Sequence, residues 1–399
     1  MTNNNENKVL NVPTLRFTGF TDEWKQSLLK EYLVENKERN TKGVFSKAEV
    51  LSVSGDKGIV NQIELLGRSY AGQSVLPYHI VRRNNIVYTK SPLSEFPYGI
   101  VKMNRGNDGI VSTLYAVYSV QETAYPSFIE YYFASKDRTN RYFKPIVRIG
   151  AKHDMKIGNG EVLANMVRFP SIKEQRRISE FLELIDERIA TQNKIIDKLK
   201  SLIKGIGDKL LFNDAWTTTR LCDILTERIE KSKTNNQHEV LSSTVKGIYS
   251  QREYFSKDIA SENNVGYKII HLHDIVLSPQ NLWMGNINYN IRFDIGIVSP
   301  SYKIYKVSPK FDKHFIASML RTHRALYNYQ LVSEQGASVV RRNLNVEAFE
   351  QLTFKIPSYD LQVKIGRTLS LLQNQLDTAF ATKQAYHQQK QYLLSQMFI

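Results

Sequence analysis

The chain has 399 residues, of which 42% are apolar and 23% charged, so it is longer than one typical core supports. Its formal net charge of +15, shared between both halves, favours a polyanionic partner. Cys222 is the only cysteine, which excludes a disulfide framework, and no apolar run is long enough to span a membrane. We therefore expect a cytoplasmic protein of at least two domains, with no membrane partner.

Residues 1–171 are predicted to form a mixed but strand-rich domain. Their β-branched and aromatic residues predict strands in Ile80–Thr89 and Val111–Val120. A short helix is predicted at Pro126–Ser135, and the Gly and Asn content of Asn104–Gly109 indicates a loop.

Residues 172–212 are predicted to form a long helical spacer that follows Pro170. Apolar residues recur at alternating spacings of four and three from Ile178 to Leu210, interrupted only at Gln192. This pattern is typical of a coiled-coil seam. A helix from about residue 173 to 211 would span roughly 58 Å at 1.5 Å per residue.

Residues 213–357 repeat the first domain. Gly109-Ile110-Val111-Ser112 recurs as Gly296-Ile297-Val298-Ser299, and the ungapped segments 109–129 and 296–316 match at 9 of 21 positions, far above chance. Close offsets also pair Trp24 with Trp216, the Glu-Val-Leu-Ser at 49–52 with that at 239–242, and the Lys-Gly-Ile at 57–59 with that at 246–248. A second strand-rich domain is therefore expected.

The repeated domain has its own predicted elements. Strands are predicted in Ile269–Leu277 and Tyr302–Val307, and helix in Phe311–Tyr329. Gln280–Asn290 is predicted to be a loop.

Residues 358–399 are predicted to form a second helical spacer after Pro357. Its seam is apolar at both ends but contains Lys383 and Lys390, which we expect to splay outwards or to meet acidic groups of a partner. Two seams of equal length in one chain favour an antiparallel pair of helices between the two domains. The alternative is that each helix covers only its own domain.

The order of domain, helix, domain and helix resembles that of the specificity subunit (HsdS) of type I restriction-modification systems. The resemblance covers nearly the whole chain. It rests on the opening at residues 12–24, which ends in Trp24, and on the junctions at 169–178 and 356–362. The junctions share Pro and Gln, but the second has Leu361 where the first has Glu174.

The resemblance implies an α+β protein that reads a bipartite, asymmetric DNA target, one half-site per domain, with the helices setting the separation. Two methyltransferase (M) subunits would dock on the helices, and restriction and translocase (R) subunits would join them. S-adenosylmethionine, ATP and Mg²⁺ would belong to those partners, which would perform adenine-N6 methylation and ATP-dependent cleavage. A related system, in which one partner fuses methyltransferase and nuclease, is the alternative.

The sequence contains no motif that predicts catalysis by this chain. There is no Pro-Pro dipeptide, as an adenine methyltransferase loop requires, and no P-loop. Glu35-Asn36-Lys37 has the Glu-x-Lys form of some nucleases but lies in a charged run that we interpret as a solvated helix. His271 and His273 are too few for a metal site. Two competing hypotheses remain: that the chain is an enzyme in its own right, or that it is a coiled-coil adaptor that does not bind DNA.

Base reading requires Arg, Lys, amides and small hydroxyls on exposed loops. The first candidate surface is the loop that follows a predicted strand in each domain. In the second domain its predicted DNA contacts are Ser278, Gln280, Asn281, Trp283, Met284 and Asn286. In the first domain they are Lys90, Ser91, Tyr98, Lys102, Asn104 and Arg105. The competing interpretation is an ordinary surface loop whose Trp283 packs into a core.

The second candidate surface is the segment before each long helix, where small residues would let the backbone approach phosphates. Its predicted contacts are Arg148, Lys152 and His153 in the first domain, and Ser338, Arg341, Arg342 and Asn343 in the second. A basic solvated turn is the competing interpretation.

Overall fold

The structure is a computed structural model that describes residues 11–149, 155–254, 263–335 and 342–399. The described residues divide into two compact units. Unit 1 contains those up to Thr191 together with Thr382–Ile399, and unit 2 contains those of Gln192–Ala381. Within the described ranges, no helix is both long enough and apolar enough to cross a membrane.

Among its described residues, unit 1 contains many short strands and three short α-helices. Its described strands are β1 (Lys25–Leu28), β2 (Leu33–Glu35), β3 (Leu51–Ser54), β4 (Gly58–Asn61), β5 (His79–Val81), β6 (Ile86–Thr89), β7 (Val101–Met103), β8 (Gly109–Val111), β9 (Tyr115–Val120), β10 (Arg148–Ile149), β11 (Met155–Lys156) and β12 (Met166–Phe169). Its short helices are α1 (Gln62–Leu66), α2 (Pro126–Tyr132) and α3 (Lys136–Phe143), and the long α4 (Ile172–Leu210) follows.

Unit 2 has the same sequence of strands. They are β13 (Thr217–Arg220), β14 (Leu225–Glu227), β15 (Leu241–Thr244), β16 (Gly247–Ser250), β17 (Lys268–His271), β18 (Ile275–Leu277), β19 (Ile287–Tyr289), β20 (Ile295–Val298), β21 (Lys303–Val307), β22 (Ser333–Gln335), β23 (Arg342–Leu344) and β24 (Thr353–Ile356). The helices are α5 (Leu221–Ile224), α6 (Gln251–Tyr254), α7 (Lys313–Met319), α8 (His323–Leu331), α9 (Val346–Glu350) and the long α10 (Tyr359–Gln396).

The strand pairing repeats from one unit to the other. The largest sheet is four-stranded and antiparallel, in the order β2-β9-β6-β7 in unit 1 and β14-β21-β18-β19 in unit 2. The pairs β1–β12, β3–β4 and β5–β8 likewise correspond to β13–β24, β15–β16 and β17–β20. The predicted mixed α/β architecture with a duplicated domain is therefore confirmed.

Two repeated sequence motifs contact each other, which explains why they recur together. A Cβ on Gly109 would lie 2.6 Å from the backbone oxygen of Glu49 and 2.8 Å from Cγ of Leu51. A Cβ on Gly296 would likewise collide with Leu241, which is the equivalent of Leu51. Only glycine allows this approach in each unit.

A buried glutamine fixes each domain-to-helix junction. The Gln175 amide donates to the Pro170 carbonyl at 3.0 Å and accepts from the Tyr125 backbone N–H, just before α2, at 2.9 Å. In unit 2 the Gln362 amide donates to Pro357 at 2.9 Å and accepts from the Asp312 N–H, just before α7, at 2.9 Å. The shared Pro and Gln of the two junctions therefore satisfy buried backbone groups.

Each core also repeats an aromatic contact. Trp24 meets Phe128 edge-on in unit 1, with ring centroids 6.0 Å apart, and Trp216 meets Phe315 in unit 2 at 6.2 Å. Phe128 and Phe315 are fully buried, so the matched aromatics of the sequence belong to the two cores.

The first half of α4 packs on the end of α10 within unit 1. The seam residues Ile178, Leu182, Ile185 and Ile189 are buried together with Leu393 and Met397. Asp186 meets Lys390 and Arg188 meets Tyr386, so the two helices run in opposite directions here.

The second half of α4 packs on the beginning of α10 within unit 2. Ile196 clusters with Leu376 and Ala379, and the Gln192 amide donates to the Ala379 carbonyl at 3.1 Å. The polar break in the predicted seam is thus a contact between the two helices. The two long helices and their seams confirm the coiled-coil prediction.

Several local predictions were wrong. Ile80–Thr89 and Ile269–Leu277 each contain two strands, because Asn84 and His273 take positive φ angles of 68° and 75° between them. Phe311–Tyr329 contains two helices, α7 and α8. Gln280–Asn290 is not wholly a loop, since it includes a 3-10 turn at Leu282–Met284 and β19.

Two polar sites also differ from their interpretations. Glu35 ends strand β2 instead of lying in a helix, and its carboxylate accepts from the Asn159 amide at 2.9 Å. Lys390 does not splay outwards, and its acidic partner lies in the same chain, because its Nζ lies 2.5 Å from Asp186 Oδ1.

Candidate nucleic-acid interface

The loop between β18 and β19 is closed at its base and ordered by successive turns. The Ser278 N–H donates to the Asn286 carbonyl at 3.0 Å, and the Asn281 and Met284 N–H groups each donate three residues back, at 3.1 Å. Gly285 then takes a φ of 93°, which favours glycine. The loop is therefore a compact platform in unit 2.

Its predicted DNA contacts differ in exposure. Gln280 and Met284 are exposed, and Asn281 and Trp283 are half-buried. Ser278 and Asn286 are buried. Asn286 is already bonded internally: its amide donates to the Ser243 carbonyl at 3.0 Å, and its side-chain oxygen accepts from the Ser243 hydroxyl at 2.9 Å. Base contacts by Ser278 and Asn286 remain predictions, but with weaker physical support.

The second candidate surface of unit 2 joins this loop. The Arg342 backbone N–H donates to the Gln280 carbonyl at 3.1 Å, and its guanidinium lies 4.6 Å above the Trp283 ring. Asn343, next along β23, is exposed. Two segments that are about 60 residues apart in the sequence thus form one polar surface. We call it the unit 2 reading surface because each of its residues is a predicted DNA contact: Gln280, Asn281, Trp283, Met284, Arg342 and Asn343. Ser338 and Arg341 lie outside the described residues.

A hairpin outside the predicted DNA contacts lies beside the reading surface. The Asn288 amide of β19 donates to the Thr244 carbonyl at 2.7 Å. The Ser243 hydroxyl donates to Asn286 at the end of the loop at 2.9 Å, so the β15–β16 hairpin is held beside the loop. Lys246 is exposed at this turn, and Lys57 is exposed at the equivalent β3–β4 turn. The repeated Lys-Gly-Ile motif was the signal that could have identified both lysines.

The loop of unit 1 after β6 is built differently. The Lys90 ammonium donates to Asn159 Oδ1 at 2.6 Å, and burial lowers the pKa of Lys90, opposed by Glu35 and Glu161. Ser91 is exposed. Tyr98 is half-buried and packs on the core, and its carbonyl accepts from the Tyr88 hydroxyl at 2.7 Å. Ser91 is the predicted contact here that is most open to a ligand.

Lys102 and Arg105 belong to an ion cluster between β7, α2 and α4. Arg105 lies 2.8 Å from Glu130 and 3.4 Å from Glu183, and Lys102 lies 3.9 Å from Glu130. Burial raises the pKa of Glu130, opposed by Arg105 and then Lys102. Burial likewise lowers the pKa of Lys102. These cations neutralise a buried carboxylate, which weakens the physical support for their predicted DNA contacts.

Asn104 and Arg148 are placed in contrasting settings. Asn104 is buried, and its amide donates to the Asn107 carbonyl at 3.0 Å and accepts from the Gly106 N–H at 3.1 Å. Arg148 is exposed on β10, where it pairs with Lys156. Asn104 therefore shapes its own loop, whereas Arg148 can meet a phosphate. Lys152 and His153 lie outside the described residues.

The two histidines of β17 and its following turn are engaged separately. His271 Nε2 lies 2.9 Å from a Glu230 carboxylate oxygen, and His273 Nδ1 lies 2.7 Å from the Tyr289 hydroxyl. Among the described residues, no three His, Cys, Asp or Glu side chains gather as metal ligands would.

The fold has counterparts among solved structures. No protein-family model matches the chain, and no curated protein matches it. The crystal structure of the type I restriction-modification S subunit from M. genitalium aligns with 97% of this chain and 99% of its own, at 14% identity and a TM-score of 0.61. This chain has the S-subunit fold.

Two further structures align less closely. A structure concerned with complex assembly and conformational transition of the type I system covers 94% of this chain and 97% of its own, at 13% identity and a TM-score of 0.48. The HsdS subunit from Thermoanaerobacter tengcongensis covers 94% of this chain and 96% of its own, at 12% identity and a TM-score of 0.40. Of the three, the M. genitalium structure is the one close enough to establish a shared fold.

Proposed function

We propose that this chain is the non-catalytic DNA-specificity subunit of a type I restriction-modification complex. It would bind double-stranded DNA and read a bipartite, asymmetric target, with one half-site for each unit. The observation that carries the proposal is the S-subunit fold, which extends over nearly the whole of both aligned chains. The net charge of +15 suits a polyanionic partner.

An asymmetric target follows from what the two units share and where they differ. Their strand order is the same, but the loop after β6 spans residues 90–100, whereas the loop after β18 spans residues 278–286. The first presents the exposed Ser91, Ser94 and Glu95, whereas the second presents amides and Trp283, over which Arg342 of β23 stacks. One framework with different loop chemistry would read different bases at the two half-sites.

The proposal assigns the chemistry to partner subunits. Two M subunits would transfer methyl groups from S-adenosylmethionine to adenine N6, and R subunits would couple ATP and Mg²⁺ to cleavage. In a related system one partner would combine the methyltransferase and the nuclease. This chain would supply the DNA sequence specificity in either arrangement.

The test is to express the chain with the methyltransferase subunit of its own system and to map methylated adenines across a host genome. We expect one split motif with a methylated adenine in each half, on opposite strands. Methylation without a split motif, or methylation that persists when this chain is omitted, would overturn the proposal.

A separate assay distinguishes the proposal from an enzyme and from an adaptor. The purified chain is incubated with DNA and labelled S-adenosylmethionine, and its DNA affinity is measured across salt concentrations. We expect no methyl transfer and a salt-dependent affinity, whose slope falls by about one when Arg342 is changed to Gln. Methyl transfer would indicate an enzyme, and salt-independent or absent binding would indicate an adaptor.

A further inference from the structure

Unit 2 contains a cavity of about 400 Å³ on the side of α4, α7 and α10, formed by residues other than those of the reading surface. This volume lies within the range of small-molecule sites in proteins. The last turns of α4 supply one wall, α7 and the start of α8 supply a second, and α10 supplies a third. The loop after β19 and Tyr289 complete it.

Cations line the cavity in excess of carboxylates. Lys200, Lys204 and Arg321 face one carboxylate in the lining, that of Asp208. Lys204 and Arg321 make no side-chain hydrogen bond or ion pair within the part of the chain that the structure describes, and Lys200 lies 5.2 Å above the Phe380 ring. Cationic side chains without an acidic partner favour the binding of an anion.

The setting of Arg321 is concave. Its side chain is exposed to solvent, yet burial lowers the pKa of Arg321, opposed by the charge of Asp377 and by Tyr249. Exposure to solvent and a pKa lowered by burial are both expected of a guanidinium that protein atoms surround in a cavity open to water. An anion there would meet Arg321 in a partly desolvated place, where a charge-assisted hydrogen bond is strong.

The remaining lining is apolar and aromatic. Leu211, Leu369 and Leu376 are buried beneath the cavity. Tyr289 is held in place because its hydroxyl bonds to His273 Nδ1 at 2.7 Å and its ring lies parallel to the His273 ring. The His314 ring meets Tyr289 edge-on at 5.5 Å, so two aromatic rings form a rigid wall. A wall of this kind suits a flat ring.

We propose that this cavity binds a small amphipathic anion, in which a phosphate or carboxylate meets Lys204 and Arg321 and a flat aromatic part lies on the apolar floor against Tyr289 and His314. The cavity lining shares no residue with the unit 2 reading surface. A bound ligand would join α4, α7 and α10 within unit 2 and so stabilise that unit.

The test uses adenosine monophosphate as the probe, with inorganic phosphate and adenosine as its two halves, titrated calorimetrically into the full-length chain. We expect adenosine monophosphate to bind at least about tenfold more tightly than either half, because both parts of the cavity contribute. Equal affinity for phosphate and adenosine monophosphate, or no binding of adenosine monophosphate, would overturn the proposal.

Matched variants locate the binding. Arg321→Gln and Lys204→Gln should each weaken adenosine monophosphate binding by about tenfold, as the loss of a charge-assisted hydrogen bond does. Arg367→Gln removes an exposed cation of α10 outside the cavity lining and should leave the affinity unchanged. Arg342→Gln, in the reading surface, should also leave it unchanged. If Arg342→Gln weakens binding and Arg321→Gln does not, the probe binds the DNA surface and the proposal is wrong.

Discussion

Gly109 and Gly296 are equivalent residues whose missing side chains cause different problems. A Cβ on Gly109 would meet the backbone oxygen of Glu49, which cannot move without shifting β3. A Cβ on Gly296 would mainly meet the side chain of Leu241, which is fully buried but, as a side chain, can shift further than backbone can. We expect Gly109→Ala to lower the free energy of unfolding by ~1–3 kcal/mol, as overpacking does, and Gly296→Ala to lower it less.

Urea unfolding of the purified variants measures this order. Gly160 provides the control, because its φ of −68° suits alanine and nothing lies within 4 Å of its added Cβ. Gly160→Ala should leave stability unchanged or slightly raise it. The explanation of the repeated motif fails if Gly109→Ala is no worse than the control.

Residues that recur in both halves could be recognised as structural from the sequence, whereas a residue that occurs once and bonds to a distant segment could not. Gly109, Gln175 and Trp24 recur in the second half because both cores need them. Asn286 has the residue type and the loop position of a base reader, yet it bonds to Ser243. Ser243 is 43 positions away in the sequence, and no local sequence pattern predicts such a contact.

At the scale of elements, the helical seams were predictable because their period follows from helix geometry. Lys390 was misinterpreted because a seam pattern shows one helix at a time. The acid that meets it, Asp186, lies on α4, and the Tyr131 hydroxyl donates to the same carboxylate at 2.8 Å. A polar seam position is thus satisfied by a contact that joins α4, α10 and α2 within unit 1.

The Lys390–Asp186 pair should stabilise unit 1 modestly. Asp186 is 38% exposed, so solvent screens the pair, and we expect a coupling of about 0.5–1 kcal/mol between Lys390→Gln and Asp186→Asn. A double-mutant cycle in urea measures it, and 1 M salt should reduce it. No coupling in the isolated chain, together with lost methyltransferase binding by Lys390→Gln, would restore the earlier expectation that this lysine meets a partner.

At the scale of the whole molecule, the duplication and the order of elements were evident from sequence, because both halves had to keep the same strand pairing. The reading surface was predictable only in parts. The loop after β18 and the segment before α10 were each selected by composition, but their junction at Arg342 and Trp283 depends on the fold. Lys246 was missed because its position beside the loop depends on the Asn288 contact.

If each unit reads its own half-site, damage to one reading surface should relax one half of the target and spare the other. Gln280 and Asn343 are both exposed on the unit 2 reading surface, so their change to Ala should not disturb the core. Each lost base contact should cost ~1–3 kcal/mol of discrimination at one base pair. Methylome mapping of the double variant should show degenerate positions in a single half of the motif.

The matched control is Gln388→Ala, an exposed amide on the helix α10 and not on either loop, which should leave the motif intact. Uniform loss of methylation with an unchanged motif would mean that Gln280 and Asn343 contribute affinity without reading bases. Degeneracy in both halves would mean that changes in unit 2 also affect the half-site read by unit 1. Relaxation confined to one half would assign that half-site to unit 2, because unit 1 keeps every one of its own loop residues in this variant.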